Sequence, residues 1–466
     1  MQDALDIIQT EHAALEARFA PKLRINPRLS RQLVSFQANK IKPVYRWFKY
    51  KEGFSESLVQ YLLHTLNIGQ GTILDPFAGT GTTLFTASAC GLDSVGIELL
   101  PVGCEVIEMR QQIIGRESEL RDVLNRWRTE QMWHDHAARW SYPHLRITGG
   151  AFLDETQTAL ERFMAATATE TPTARRLLRF AALCVLEEIS YTRKDGQYLR
   201  WDFRSNRRQG AKPFNKGRIL TFEEAITAKL DEIADDLQPH HGMMSLFPLL
   251  EQHGNLKVIQ GSCLAVLPTL ETAAFDGLIT SPPCANRYDY TRTYALELAL
   301  LGVDEAELRR LRQAMVSCTV ENKDKPGLDQ MFSPGRYERA VKAFESQHEL
   351  QRILAYLEHQ RATKALNNPG IPRMVRNYFF ELALVIFECA RLLKPGAPFV
   401  MVNDNVRYGG ATIPVDLILS DFAEQAGFDV EAIWVLPTGK GNSSQQMGAH
   451  GREELRKCIY IWRRVA

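Results

Sequence analysis

A chain of 466 residues is longer than one compact core normally needs, so a principal domain with sizeable inserted or appended elements is expected. Hydrophobic residues make up 45% of it, ample for a packed interior, and 56 Lys plus Arg nearly balance 55 Asp plus Glu, so any nucleic-acid surface has to come from local clustering of positive charge. The eight cysteines, at 90, 104, 184, 263, 284, 318, 389 and 458, form no CxxC pair and no Cys/His spacing suited to zinc, which points to reduced thiols, a cytosolic setting and no metal site.

Met1-Gln-Asp-Ala-Leu-Asp-Ile-Ile8 lacks a basic region followed by a long apolar run, and no stretch reaches the length of a membrane span, so a soluble, cytoplasmic protein is expected. Residues 1–40 read as an amphipathic helical lead-in. Phe54-Ser55 ahead of Glu56, Leu58, Val59, Leu62 and Leu63 reads as a capped helix packed before the first strand. Thr72 to Leu74 then runs into Asp75-Pro-Phe-Ala-Gly-Thr-Gly-Thr-Thr83, where glycines permit a tight turn and let the backbone approach a ligand at the next helix N-terminus. A second strand, Ser94-Val-Gly-Ile-Glu98, ends in an acid about 20 residues past the loop, the spacing of a carboxylate that grips a ribose diol. A bare glycine turn is often only a connection; Glu98 in register is what gives this one meaning.

Residues 101–128 read as helical, and 129–255 carry helical periodicity without a strand-turn-helix rhythm, as an insertion would. Within it, Tyr191 to Arg218 interleaves aromatics with Arg193, Lys194, Arg200, Arg204, Arg207 and Arg208, a pattern suited to phosphate neutralisation and base stacking. In isolation such a run is more often a solvated loop anchored by a few aromatics. The core resumes at Leu256 to Gln260 with a turn at Ser262 and Cys263, followed by a strand ending in Thr280-Ser-Pro-Pro-Cys284 and a loop bearing Tyr288 and Tyr290. Residues 301–370 read as a second, charged, helical insertion. A helix from Asn377 to Leu393 stops at Lys394-Pro-Gly396, and a strand from Pro398 to Arg407 follows. Then come a helix from Pro414 to Gly427, a strand from Asp429 to Leu436, a polar loop from Gly439 to Met447, and a closing strand from Leu455 to Trp462.

The Asp75–Thr83 string resembles the S-adenosylmethionine loop of the DNA amino-methyltransferases. Ser281-Pro-Pro283 resembles their catalytic loop, usually written Ser, Asp or Asn, then Pro-Pro, then an aromatic; Cys284 stands in the aromatic's place. The resemblance covers about half the chain, cofactor loop first and catalytic loop second. It implies an α/β fold, a Rossmann-like class I methyltransferase sheet that is mostly parallel with one antiparallel strand and helical insertions. Five segments follow: N-terminal helices and the cofactor-binding half of the core in 1–128, an insertion in 129–255 that binds DNA and reads the target, the catalytic-loop part in 256–300, a helical insertion in 301–370, and the rest of the core in 371–466. It also implies S-adenosylmethionine as cofactor, bound by Phe54, Ser55, Asp75, Pro76, Phe77, Ala78, Gly79, Thr80, Gly81, Thr82, Thr83, Glu98, Ser262 and Cys263, although the turn at Ser262 and Cys263 lacks the acid that relatives often carry there.

Two prolines fix a rigid backbone without N–H groups, so the carbonyls of Ser281 and Pro282 can point outward as acceptors for an exocyclic amine. Methyl transfer is then a matter of positioning, on a base that has first left the double-stranded DNA; Tyr288 or Tyr290 would stack on it. Ser before Pro-Pro favours cytosine N4 over adenine N6. Pro-Pro-Cys is also the core of the cytosine C5 methyltransferases, in which Cys284 would be the nucleophile and Asp404 of Asp404-Asn-Val406 the acid on ring N3. Cys284 as an inert small residue is the blander alternative. An RNA guanine methyltransferase fits less well without a separate RNA-binding module upstream of residue 40, and a catalytically silent DNA-binding subunit less well because Asp75, Glu98, Ser281 and Pro282 are all present. The family setting is restriction–modification or phage defence, with any cognate restriction endonuclease on another chain.

Overall fold

The computed structural model describes residues 2–195, 198–208, 212–238, 254–437, 450–451 and 453–465. The polar loop expected over Gly439–Met447 lies outside the described residues. Strands in chain order are β1 (Leu23–Ile25), β2 (Thr72–Asp75), β3 (Asp93–Glu98), β4 (Thr192–Asp195), β5 (Tyr198–Trp201), β6 (Leu256–Gln260), β7 (Gly277–Thr280), β8 (Pro398–Asp404), β9 (Val406–Tyr408), β10 (Ala411–Ile413), β11 (Phe428–Val435) and β12 (Lys457–Arg464). Eight of them form one sheet in the order β1-β11-β12-β8-β7-β2-β3-β6. Only β12 runs against its neighbours, pairing antiparallel with both β8 and β11; the other pairings in the sheet are parallel.

Central strands of such a sheet are covered on both faces, so they read as apolar runs rather than alternating ones. Phe399, Val400, Met401 and Val402 of β8 and Ile73 and Leu74 of β2 are buried accordingly. One face packs on the helices Ile371–Leu392 and Val415–Ala426, with Pro334–Ser346 and His348–Ala362 outside them. The other packs on Glu56–Thr65, whose Leu58, Val59, Leu62 and Leu63 face Ile73, Ile279 and Val400. A separate helical core gathers Trp47 and Phe48, the helices Pro101–Ile113, Glu117–Glu130, Asp154–Ala166, Pro172–Ile189 and Phe222–Asp236, and Tyr294 to Cys318.

Several elements differ from expectation for local reasons. The lead-in helix stops at Phe19, and Leu23–Ile25 forms a parallel edge strand on β11, too short for any periodicity to reveal it. The helical stretch expected over 101–128 is present as two helices, parted by Gly115, whose φ of +77° no helix accommodates. The strand read through Arg407 ends at Asp404, because Gly409 and Gly410, both at positive φ, turn β9 back onto β10 as a separate hairpin. The basic, aromatic run contains a second hairpin, β4 with β5. The charged segment after residue 328 packs on the sheet's own core, while Val106, Met109 and Ile113 pack into the helical core.

Candidate active site

Strands β2, β3 and β7 all end at the same edge of the sheet, and the segments leaving them line one cavity together with Tyr50, Glu52, Gly53, Phe54, Tyr290 and Met315. Ligand crevices in such sheets lie outside the carboxyl ends of the strands. The glycine turn contributes Asp75 to Thr80 with Thr82 and Thr83; Gly79 and Gly81 have φ of +56° and +80°. A Cβ at Gly79 would lie 2.9 Å from the Tyr50 ring, and one at Gly103 would lie 2.5 Å from the Gly79 carbonyl oxygen. Backbone and ring are therefore as close as atoms allow, with the first turn of the helix Thr82–Ala89 aimed at the cavity.

Glu98 ends β3 beneath that turn. Its oxygens accept from the Gly79 and Leu100 amides at 2.7 and 2.8 Å, and burial holds its carboxyl up at about 7. Asp75 accepts from the Thr280 hydroxyl at 2.5 Å and the Phe77 amide at 3.0 Å, and burial raises it to about 6. The bond from Thr280 ties the glycine turn to the residue just before Ser281. Ser281 donates its own hydroxyl to the Val402 carbonyl at 3.0 Å.

Of the residues expected at the cofactor, Phe54, Asp75, Pro76, Phe77, Ala78, Gly79, Thr80, Thr82, Thr83, Glu98, Ser262 and Cys263 line the cavity, and Gly81 caps the helix behind them. Ser55 does not line it. Fully buried, it donates to the Leu33 carbonyl and caps the helix Glu56–Thr65 by accepting from the Leu58 amide, so its role is structural. Ser262 lines the cavity with its hydroxyl committed to the Ala314 carbonyl at 2.6 Å. Ser281, Pro283 and Tyr290 also line it; Pro282 does not.

Cys284 sits beside Asp404, and burial, then that carboxylate, push its thiol up to about 12. Asp404 itself is paired with Lys457 at 2.9 Å. Lys457 pulls the thiol the other way but by less than burial and Asp404 raise it, so the surroundings on balance disfavour a thiolate.

The basic run divides. Arg193 and Arg208 are exposed. Arg200 pairs with Asp195 at 3.4 Å and lies over the Phe214 ring. Arg204 is bound to Asp202 by two nitrogens, and Arg207 lies 3.8 Å from the Trp201 ring centroid and donates to the Gly149 carbonyl. Lys194 overturns the expectation of phosphate contact: it is 4% exposed, paired with the buried Glu297 at 2.6 Å, and its ammonium lies over the Phe48 and Tyr294 rings. Alternation along β4 puts Arg193 outside and Lys194 inside.

Three site residues carry no expectation from the sequence. Tyr50 stacks on Tyr294, with centroids 5.2 Å apart. Glu52 accepts hydrogen bonds from Tyr288 and Tyr294. Arg110, 1% exposed, donates to the carbonyls of Thr80, Val44 and Tyr45 and so holds the glycine turn to the segment covering it. The aromatic run Trp47-Phe48-Lys49-Tyr50 was the available signal; nothing local marks Glu52 or Arg110.

Sheet order and cavity together define a Rossmann-like methyltransferase. A family model described as DNA methylase (N6/N4 type) matches residues 24–109. The chain is 52% identical to the type II methyltransferase M.AvaI of Nostoc sp. and of Anabaena variabilis, over 97% of this chain and 92% of theirs. It is 40% identical to the type II methyltransferase M.BsoBI of Geobacillus stearothermophilus, with the same coverage. The chain belongs to the N6/N4 family of type II DNA methyltransferases, which use S-adenosylmethionine as methyl donor. Membership in an amino-methylating family removes the C5 reading. Among the described residues no helix is long and apolar enough to cross a membrane, and no group of His, Cys, Asp or Glu is placed to hold a metal ion.

Proposed function

We propose that the protein methylates cytosine at its exocyclic N4 in double-stranded DNA, on a base flipped out of the duplex. The observation carrying this reading is the convergence of Ser281 and Pro283 with Asp75 and Glu98 on one cavity. S-adenosylmethionine fits the donor set there: Glu98 keeps lone pairs for a ribose diol beyond the two it uses for backbone amides, and a side chain at Gly79 would fill the cradle. Bound, it supplies an electrophilic methyl group. Glu98 and the turn from Asp75 to Thr83 would hold it, with Phe54 at one end and Ser262 and Cys263 at the other. The Ser281 carbonyl would accept from the amine and aim its lone pair, a contribution of orientation rather than of covalent chemistry. Tyr290, in the cavity and 4.6 Å from Tyr288 by ring centroids, would stack on the flipped base.

Ser281 in place of an acid or amide supports cytosine over adenine. The region 129–255 would contact DNA, with Arg193 and Arg208 reaching phosphates. The setting follows the type II names of the relatives: modification that protects DNA from a restriction endonuclease carried on a separate chain. Nucleoside mass spectrometry of DNA treated with the protein and labelled cofactor, beside a Cys284→Ser variant, tests the reading. N4-methylcytosine from both proteins is expected. N6-methyladenine would transfer the same geometry to adenine, and 5-methylcytosine abolished in the variant would overturn it.

A further inference from the structure

A primary amine that gains a methyl group has a proton to lose, and the catalytic loop holds no group able to receive it at neutral pH. The Ser281 hydroxyl already donates to Val402, and proline carbonyls accept hydrogen bonds, not protons. Cys284 stays a thiol, and Asp404 is paired with Lys457. Three carboxyls line the cavity among the described residues: Glu52, Asp75 and Glu98. Asp75 is engaged with Thr280 and the Phe77 amide, and Glu98 with two amides at the cofactor turn.

Glu52 also accepts two hydrogen bonds, but both donors are side chains on the segment that follows the catalytic loop. One of its oxygens accepts from the Tyr288 hydroxyl and the other from Tyr294, so residues following the catalytic loop set the carboxyl's orientation. Tyr290, between them in sequence, lines the cavity beside it. We propose that Glu52 is the proton acceptor for the exocyclic amine of the target base, an inference that rests on the amine-methylating reading above. The nitrogen lone pair forms the bond to the methyl carbon as that carbon's bond to sulfur breaks, the sulfur keeping the electron pair. The surplus proton on nitrogen passes to the Glu52 carboxylate, and the resulting carboxyl returns it to water.

The surroundings tune Glu52 for this. Burial raises its pKa most; the Tyr294 hydrogen bond and the nearby Lys194 and Lys51 lower it, and the balance stands at about 7. A base is most useful when its pKa lies close to the working pH. Lys194 is shared with Glu297, and Lys51 donates to the Lys194 carbonyl, so neither cation pairs directly with Glu52. Tyr50, Tyr290 and Cys284 stay neutral because burial raises all three, whereas Glu98 and Asp75, which line the same cavity, stand at about 7 and about 6, so it is loss of the limb in the Glu52 variant that assigns it.

The test is kcat against pH at saturating cofactor and DNA for wild type, Glu52→Gln and Tyr288→Phe, with S-adenosylmethionine affinity measured by calorimetry. In the wild type kcat should fall as pH drops through about 7, where Glu52 protonates. Glu52→Gln should keep cofactor affinity within about threefold, lose about 100-fold or more in kcat, and lack that limb. Tyr288→Phe, deprived of one donor to the carboxylate, should move the limb to higher pH. A Glu52→Gln variant with wild-type kcat and profile overturns the proposal. So does one that loses cofactor affinity while its residual kcat keeps the limb, since that would make Glu52 structural. Absence of any methylated amine from wild-type DNA reactions would instead defeat the underlying reading.

Discussion

The two walls of the cavity hold their polar groups by different means. On the sheet wall, Asp75, Glu98 and Ser281 stand at strand ends, and their partners are backbone amides, a backbone carbonyl and one neighbouring hydroxyl. On the helical wall, Glu52 is held by two tyrosines, and one of these, Tyr294, lies beneath Lys194 and against Tyr50. Backbone partners move only with the sheet; side-chain partners depend on a packed core more than a hundred residues away in sequence. The sheet wall is thus set by local chain geometry, whereas the helical wall is set by long-range packing, and each can be broken on its own.

The largest effect is expected where the helical wall rests on buried charge. Lys194→Met would leave Glu297 buried and unpaired, at a cost of about 3–5 kcal/mol. Lys194→Met with Glu297→Leu should recover most of that loss, because replacing both partners removes the desolvation penalty along with the pair. Urea titration of both variants checks it. A single substitution costing under about 1 kcal/mol would mean that Glu297 finds another partner or takes up a proton.

On the sheet wall, Glu98→Gln turns an amide toward the Gly79 and Leu100 amides, which both need an acceptor. Cofactor affinity should fall about 100-fold by calorimetry, and the melting temperature should fall too, because one buried amide loses its acceptor at a cost of about 1–3 kcal/mol. Gly79→Ala should do less. An alanine at φ +56° costs about 1–2 kcal/mol, and its methyl must displace the Tyr50 ring, so about tenfold weaker cofactor binding is expected. Tyr50→Ala in the same chain should restore part of it if the ring contact matters more than the backbone strain.

The difference between the walls also decided what could be read in advance. Asp75 to Thr83, Glu98 and Ser281 to Pro283 lie within short strings whose spacing carries their geometry, and the sheet follows from the apolar runs beside them. Glu52 and Arg110 act through partners at Tyr288, Tyr294, Thr80 and Val44, and no local pattern encodes such pairings. Lys194 and Ser55 show the converse failure. Each sits in a string that suggested ligand contact, but strand alternation turns one inward and helix capping uses the other. Gly115 and the Gly409–Gly410 pair were visible as residues, yet whether a glycine breaks an element depends on the φ it adopts.

The smallest effect separates fold from recognition within the basic run itself. Arg204 and Arg207 are tied to Asp202, Gly149 and the Trp201 ring, so Arg204→Ala and Arg207→Ala should lower melting temperature and weaken DNA binding only through that loss. Arg193 and Arg208 are exposed on the same segment, and their alanine variants should leave melting temperature unchanged. If they meet phosphates, each should cost a few-fold in affinity and reduce the slope of log affinity against log salt by about one. Salt titrations of all four variants distinguish the cases, because a structural arginine changes the intercept, whereas a phosphate contact changes the slope. Unchanged slopes for Arg193→Ala and Arg208→Ala would move the DNA interface off this hairpin and onto another face of the helical region.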